Sequence, residues 1–242
     1  MKIARLFMPL LLAGAALAAH AQTAPAPKRE LYRVHLFKAA PGKLPDLIDT
    51  YLNPPPGVHK PFTFRHLSGD DWDLLVIYPQ GEKAELPANP DFPEPIGKYR
   101  ERIMADYIWH TDTYAFGPPL AELQKQLAQK DGSGASATKG GLYLVEDYTA
   151  LNGHLRPLEK VIDREMASDP AGGMAKFEHS QGYGWDFLTI FRYASWRDYA
   201  AASDAELDDL ARRHGFANSA AIPFELREHI TGHHDTFVER LQ

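Results

Sequence analysis

Phe64 to Tyr78 reads FRHLSGDDWDLLVIY, and Phe177 to Phe191 reads FEHSQGYGWDFLTIF. Aligned without a gap, the two stretches are identical at 7 of 15 positions: Phe64/Phe177, His66/His179, Gly69/Gly182, Trp72/Trp185, Asp73/Asp186, Leu75/Leu188 and Ile77/Ile190. Ordinary residue frequencies of ~5–10 % predict about one match by chance, so the chain contains an internal duplication. The flanks agree. Upstream, LYRVHLFKAAPGKLPDL from Leu31 resembles LYLVEDYTALNGHLRPL from Leu142; downstream, His110-Thr111-Asp112-Thr113-Tyr114 resembles His233-His234-Asp235-Thr236-Phe237.

Each copy reads as one series of elements. A strand (Leu31 to Lys38; Leu142 to Thr149) passes through Pro41-Gly42 or Asn152-Gly153 into a helix. The helix has Leu44, Leu47, Ile48 and Tyr51, or Leu155, Leu158, Val161 and Ile162, at helical spacing. A hairpin follows, Pro61 to His66 with Trp72 to Tyr78, and Met174 to His179 with Trp185 to Tyr193.

In copy two the second helix starts at a capping box, Ser203 and Glu206, and stops at Gly215. In copy one Pro87, Pro90, Pro93 and Pro95 confine it to Ile96 to Ala105. A last strand covers Tyr107 to Phe116, or Phe224 to Arg240. The expected fold class is α+β, two tandem ferredoxin-like βαββαβ repeats packed sheet to sheet as an intrachain barrel. The expected organisation is repeat one over 31–117, a short helix (Leu120 to Lys130) and Gly/Ser linker over 118–140, and repeat two over 141–242.

Lys2 and Arg5, the apolar run from Leu6 to Ala18, and small residues Ala19 and Ala21 form a secretory signal peptide over 1–21. A loose leader follows over 22–30. The apolar run is shorter than the ~20 residues of a transmembrane anchor, so the expected location is the periplasm or exterior. The chain has 0 Cys, so neither a disulfide nor a thiol nucleophile is available. Removing 2 of 26 basic residues and none of the 32 acidic ones leaves 24 − 32 = −8. That balance argues against a nucleic-acid partner, which needs a basic face.

The series of elements resembles the dimeric α+β-barrel superfamily, and the segment Tyr32 to Leu47, with Pro41-Gly42-Lys43 between strand and helix, is similar to NIPSNAP-like proteins. From Tyr143 to Leu158 the pattern departs, with Asn152-Gly153-His154 in place of Pro-Gly-Lys. The superfamily also includes cofactor-free monooxygenases and haem enzymes such as chlorite dismutases, so the resemblance carries fold more than chemistry. It implies the strand order 4-1-3-2 within each copy. Strands two and four of one copy then lie ~14 Å apart, and closure sets strand two of one copy beside strand four of the other.

That closure leads to cross-copy clusters. His66 is expected near His233 and Asp235, and His179 near His110 and Asp112. Each His-x-Asp pair puts both side chains on one face of its strand, roughly 7 Å apart. Two His and a carboxylate suit Fe(II), Mn or Zn; the other readings are a hydrogen-bonded structural network and acid–base work without metal. His35 and Glu146, which face each other across the duplication, are candidate general bases. Trp72 and Trp185 are expected to cover the core, Asp73 and Asp186 to accept N–H bonds of the hairpin turn, and Gly69 and Gly182 to take positive φ.

Nucleophile-elbow, phosphate-loop, dinucleotide, His-Glu-x-x-His and Cys-x-x-Cys-His motifs are absent from the sequence. A divalent metal is the expected cofactor type, with a non-covalent haem held by one His as the option the resemblance adds. The function reading is an exported binder of a small, partly apolar molecule, acting as an oxidoreductase or monooxygenase-like enzyme through its His/Asp clusters. The alternative is a non-catalytic binding or stress-related module with structural His/Asp networks. No membrane anchor is expected, and oligomerisation is left open.

Overall fold

The computed structural model describes residues 28–81, 94–130, 136–137, 140–168, 174–201 and 204–242. The signal peptide, most of the leader, Pro87, Pro90, Pro93, most of the Gly/Ser linker and Ser203 of the capping box lie outside them. The first half runs β1 (Glu30–Ala39), α1 (Leu44–Leu52), β2 (Phe62–Ser68), β3 (Leu74–Gly81), α2 (Glu94–Ala105) and β4 (Tyr107–Gly117). Next come α3 (Leu120–Leu127) and a two-residue ladder of β5 (Gln129–Lys130) with β6 (Ser136–Ala137). The second half runs β7 (Leu142–Ala150), α4 (Leu155–Ala167), β8 (Met174–Gly182), β9 (Phe187–Tyr193), α5 (Trp196–Ala201), α6 (Asp204–Arg213), α7 (Ala221–Arg227) and β10 (Ile230–Arg240).

Eight strands close into a barrel in the order β1-β3-β2-β10-β7-β9-β8-β4, so each half has the order 4-1-3-2 and the halves meet at two seams, β2·β10 and β4·β8. Every pairing is antiparallel. Closure leaves no strand edge of the barrel unpaired, which removes the usual template for aggregation.

Period-two alternation sorts the side chains. On β1, Tyr32, Val34 and Leu36 point into the barrel, where they meet Phe64, Ile77, Tyr143, Phe177, Ile190 and Val238. The intervening Phe37 lies outside the barrel against Leu47 and Tyr51 of α1. Tyr148 and Phe187 do the same beneath Leu158, Val161 and Ile162 of α4. The molecule thus has one core inside the barrel and one under the helices of each half, and burying each large side chain stabilises by ~1.5–3 kcal/mol.

Two sequence expectations are corrected. The stretch before the last strand is not extended: Ala221–Arg227 is helical and buries Leu226, so β10 begins at Ile230. The polar-faced helix after β4 ends at Leu127 and buries Leu123 and Leu127 in the barrel core.

Trp72 and Trp185 are buried in the barrel core as expected. Asp73 and Asp186, however, serve the end of the first strand of each half instead of the hairpin turn. Asp73 accepts from the Ala39 N–H at 2.9 Å and Asp186 from the Ala150 N–H at 2.7 Å, fastening that strand to the hairpin strand beside it.

Gly69 and Gly182 have φ of 131° and 113°, and they do more than turn the chain. A Cβ on Gly69 would stand 2.4 Å from the Asp235 carbonyl oxygen, and one on Gly182 2.1 Å from that of Asp112. Each glycine lets its hairpin approach the His-x-Asp strand of the other half.

Candidate functional site

The outer face of the barrel carries two related centres. In the first half, β1 and β4 pair so that His35 lies opposite Asp112. Nδ1 of His35 is 2.6 Å from Oδ1 of Asp112, and Nε2 of His110 is 3.1 Å from Oδ2. Arg33 donates to Asp112 Oδ1 through Nε at 3.2 Å and Nη2 at 2.9 Å.

Around them stand aromatic rings. His35 stacks on Phe37 at 5.4 Å and meets Tyr78 edge-on at 6.0 Å; Phe37 also contacts Tyr51, Tyr107 and His110. His35 is buried, whereas the Asp112 side chain is 38 % exposed, so the centre opens outward on its carboxylate side.

Burial pushes the His35 imidazole below its ordinary value, although Asp112 opposes this. The ring is therefore neutral at pH 7; its buried Nδ1 lies close to the Asp112 carboxylate without hydrogen-bond geometry to it. Burial alone would raise Asp112. The contact with His35 and the charges of His35, Arg33 and His110 outweigh burial and hold this carboxyl well below the usual range. With His35 neutral, Arg33 is the lasting positive partner.

In the second half the same rung sets Glu146 of β7 opposite Asp235 of β10. His233 Nε2 lies 2.9 Å from Asp235 Oδ1, and the His233 ring stacks on Tyr148 at 4.8 Å. Ligand atoms of Glu146, His233 and Asp235 all fall within 4.8 Å of one another, as do those of His35, His110 and Asp112. Glu146 is buried and accepts from the Tyr148 hydroxyl at 2.7 Å and the Thr189 hydroxyl at 3.1 Å, both on Oε2.

Burial, reinforced by the Asp235 charge, lifts Glu146 to about 7. His233 is raised, first by its bond to Asp235. Glu165, on α4 one turn beyond Val161, has its Oε2 buried with no hydrogen-bond partner. Burial, then the charges of Glu146 and Asp235, push Glu165 well above the ordinary carboxylate value.

The expected cross-copy clusters do not form. β2 and β10 are neighbours as anticipated, but their register puts His66 opposite Val238, five residues along the strand from His233. At ~3.3 Å per residue that is about 16 Å. His179 likewise lies opposite Ala115, not beside His110 or Asp112. Both rings lie edge-on to a tryptophan, His66 to Trp72 at 5.6 Å and His179 to Trp185 at 6.1 Å, each with a buried Nε2 lacking a partner. The expected strand neighbours do pair, but the register of both seams keeps the named residues apart.

His35 and Glu146 instead supply the third member of each His-x-Asp centre. One cluster does cross between the halves: His234 Nδ1 lies 3.5 Å from Asp70 Oδ2 and 3.6 Å from Asp147 Oδ2. Its counterparts under the duplication are Thr111, Tyr183 and Leu36, so it belongs to one seam only.

Sequence reading also passed over Arg33 and Glu165. Two signals existed. The duplication aligns Arg33 with Leu144, a charge in one half against an apolar residue in the other, and Glu165 sits four residues after Val161 on the apolar stripe of α4.

No protein-family model matches the chain, and no curated protein matches it. Its structure is similar to an anthrone oxidase-like protein, with TM-score 0.56 and 11% identity over 90% of this chain and 93% of that one. A candidate monooxygenase from Lactobacillus acidophilus NCFM gives 0.50 and 8% over 88% and 94%. Another from Fusobacterium nucleatum subsp. nucleatum gives 0.51 and 9% over 88% and 93%. At such identities the likeness is one of fold. The chain has the dimeric α+β-barrel fold, with both halves of the barrel on one polypeptide.

Proposed function

We propose that this barrel binds a small, partly aromatic molecule at the first centre and acts as an oxidoreductase of monooxygenase type, with His35 as general base. The observation that carries the reading is the buried His35–Asp112 contact at 2.6 Å, set among Phe37, Tyr78 and His110. A neutral imidazole held beside a carboxylate that would stabilise its protonated form can take a proton from a substrate. Arg33 supplies positive charge and N–H donors beside His35 and Asp112, where a deprotonated substrate would carry its negative charge. The second centre has Leu144 where Arg33 stands and so lacks that positive charge.

In the proposed reaction an activated CH2 group loses a proton to His35, and the carbanion reduces dioxygen, the co-substrate. One oxygen atom enters the product as a carbonyl and the other leaves as water, so CH2 + O2 gives C=O + H2O. The fold shared with an anthrone oxidase-like protein and two candidate monooxygenases is compatible with this chemistry. Export to the periplasm and kinship with NIPSNAP-like proteins belong to the same proposal. They rest on the residues Lys2 to Ala21 and on Tyr32 to Leu47. Among the described residues no helix is long and apolar enough to cross a membrane.

The test is oxygen uptake by the purified protein with a panel of hydroxylated polycyclic compounds, anthrone included. Uptake that falls about 100-fold or more in His35→Ala and Asp112→Asn supports the reading. Uptake absent across the panel, or unchanged in both variants, counts against it and favours a binding module with structural His/Asp networks.

A further inference from the structure

The two halves differ in how they balance charge. In the first, Arg33 neutralises Asp112 from the adjacent strand. Under the duplication Leu144 stands where Arg33 stands, Glu146 where His35 stands, and Tyr148 where Phe37 stands. The second centre has thereby lost its cation and gained a carboxylate, and Glu165 of α4 adds another. Burial and the charge of Asp235 act on both Glu146 and Glu165, and the charge of Glu146 acts on Glu165. His233 is the one basic side chain in the group.

We infer that Glu146, His233 and Asp235, with Glu165 of α4 beside them, form a binding site for one divalent transition-metal ion on the outer face of the second half. Three independent features converge. Ligand atoms of Glu146, His233 and Asp235 come within 4.8 Å of one another. Three donors bound to one ion at ~2.0–2.2 Å lie about 3.3–3.8 Å apart, so side-chain shifts of up to about 1 Å close the shell.

Second, Oε2 of Glu165 is buried without a hydrogen-bond partner, a costly state for a carboxylate that a cation would relieve. Third, the Tyr148 and Thr189 hydroxyls both donate to Oε2 of Glu146. They orient the carboxylate and leave Oε1 for an ion, as outer-shell donors do at metal sites. One imidazole with carboxylate oxygens suits Mn2+ or Zn2+. The inference goes beyond the His35 reading, since it concerns the other half of the barrel.

The experiment uses purified protein stripped with chelator and desalted, then titrated calorimetrically with MnCl2 or ZnCl2, with Tm recorded in parallel. One equivalent of at least one ion is expected to bind and to raise Tm. Glu165→Gln and Asp235→Asn are expected to weaken binding at least about tenfold, since loss of mere outer-shell partners already costs that much. Glu165→Gln preserves shape and removes a like charge, so its metal-free Tm should equal or exceed that of the parent.

His110→Ala in the first centre and Asp70→Asn at the seam should bind as the parent does. The inference is overturned if neither ion binds, if Glu165→Gln and Asp235→Asn bind like the parent, or if His110→Ala or Asp70→Asn abolishes binding. None of these results touches oxygen uptake through His35, so the two readings fail separately.

Discussion

Glu146 faces Asp235 directly across the β7·β10 ladder, two acidic residues on the rung where the first half sets His35 against Asp112. One framework thus holds a base beside an Arg-paired carboxylate and, half a barrel away, a carboxylate cluster whose basic member is His233. The difference resides in a few outward-facing positions, because inward-facing ones are committed to the shared core.

The role of Arg33 is open to a direct exchange. Arg33→Leu, which installs the residue of the second half, removes the lasting positive partner of Asp112. Because both side chains are more than a third exposed, the expected stability loss is only about 0.5–1 kcal/mol and shrinks with salt. Catalysis should suffer more: about tenfold or more in kcat, with Tm nearly constant, if Arg33 faces developing negative charge. A parallel fall in Tm and unchanged turnover would make it a structural ion pair.

The seams predict a contrast among glycines. Gly69→Ala and Gly182→Ala meet both a positive φ and backbone atoms at 2.4 and 2.1 Å, so each should cost about 2–4 kcal/mol. Gly42→Ala, at φ 76° with nothing within 4 Å, should cost only about 1 kcal/mol. Denaturant unfolding of the three variants measures this; equal losses would mean that the seam contact is unimportant.

Acid should weaken the fold through His35. Its pKa is lowered in the folded protein, so below the ordinary value of 6.5 the unfolded chain takes up a proton that the folded chain refuses. The His35 contribution is complete above that pH and declines as pH falls through it. Asp112, also lowered, adds a second loss below the ordinary 3.8. His35→Gln should flatten the decline of Tm between pH 6.5 and the folded-state pKa; an unaltered slope would contradict the assignment.

His66, once a candidate ligand, has no metal partner in the fold. His66→Phe keeps a ring against Trp72 and removes a buried nitrogen without a partner. It should leave metal stoichiometry unchanged and alter stability by less than about 1 kcal/mol in either direction. Loss of bound metal in this variant would restore the cross-seam reading.

Much of the architecture was legible because it rests on local signals repeated twice. The Trp-Asp hairpins, the Gly-led turns at Gly42 and Gly153 and the apolar stripes of α1 and α4 were read directly, and the barrel order followed from the edges that two such sheets leave open. Ala221–Arg227 was misread as strand because Phe224 and Leu226 fit either period over so short a run. Candidate chemistry was half legible: His35, His110, Asp112, Glu146, His233 and Asp235 were all named, but they were grouped across the wrong ladder.

What the sequence determined by itself is the kind of fold and which residue types each half offers, since periodicity and turn chemistry act within a few residues. Only the tertiary structure decided who meets whom. Register along β2·β10 and β4·β8 depends on how Gly69 and Gly182 press against the opposing strand, a contact between residues 166 and 70 positions apart in the chain, as in Thr236 with Asp70 and Thr113 with Tyr183. Shifting such a ladder by a single residue turns every side chain to the other face. No local pattern encodes that choice, and the burial of Glu165 beside Glu146 exists only once it has been made.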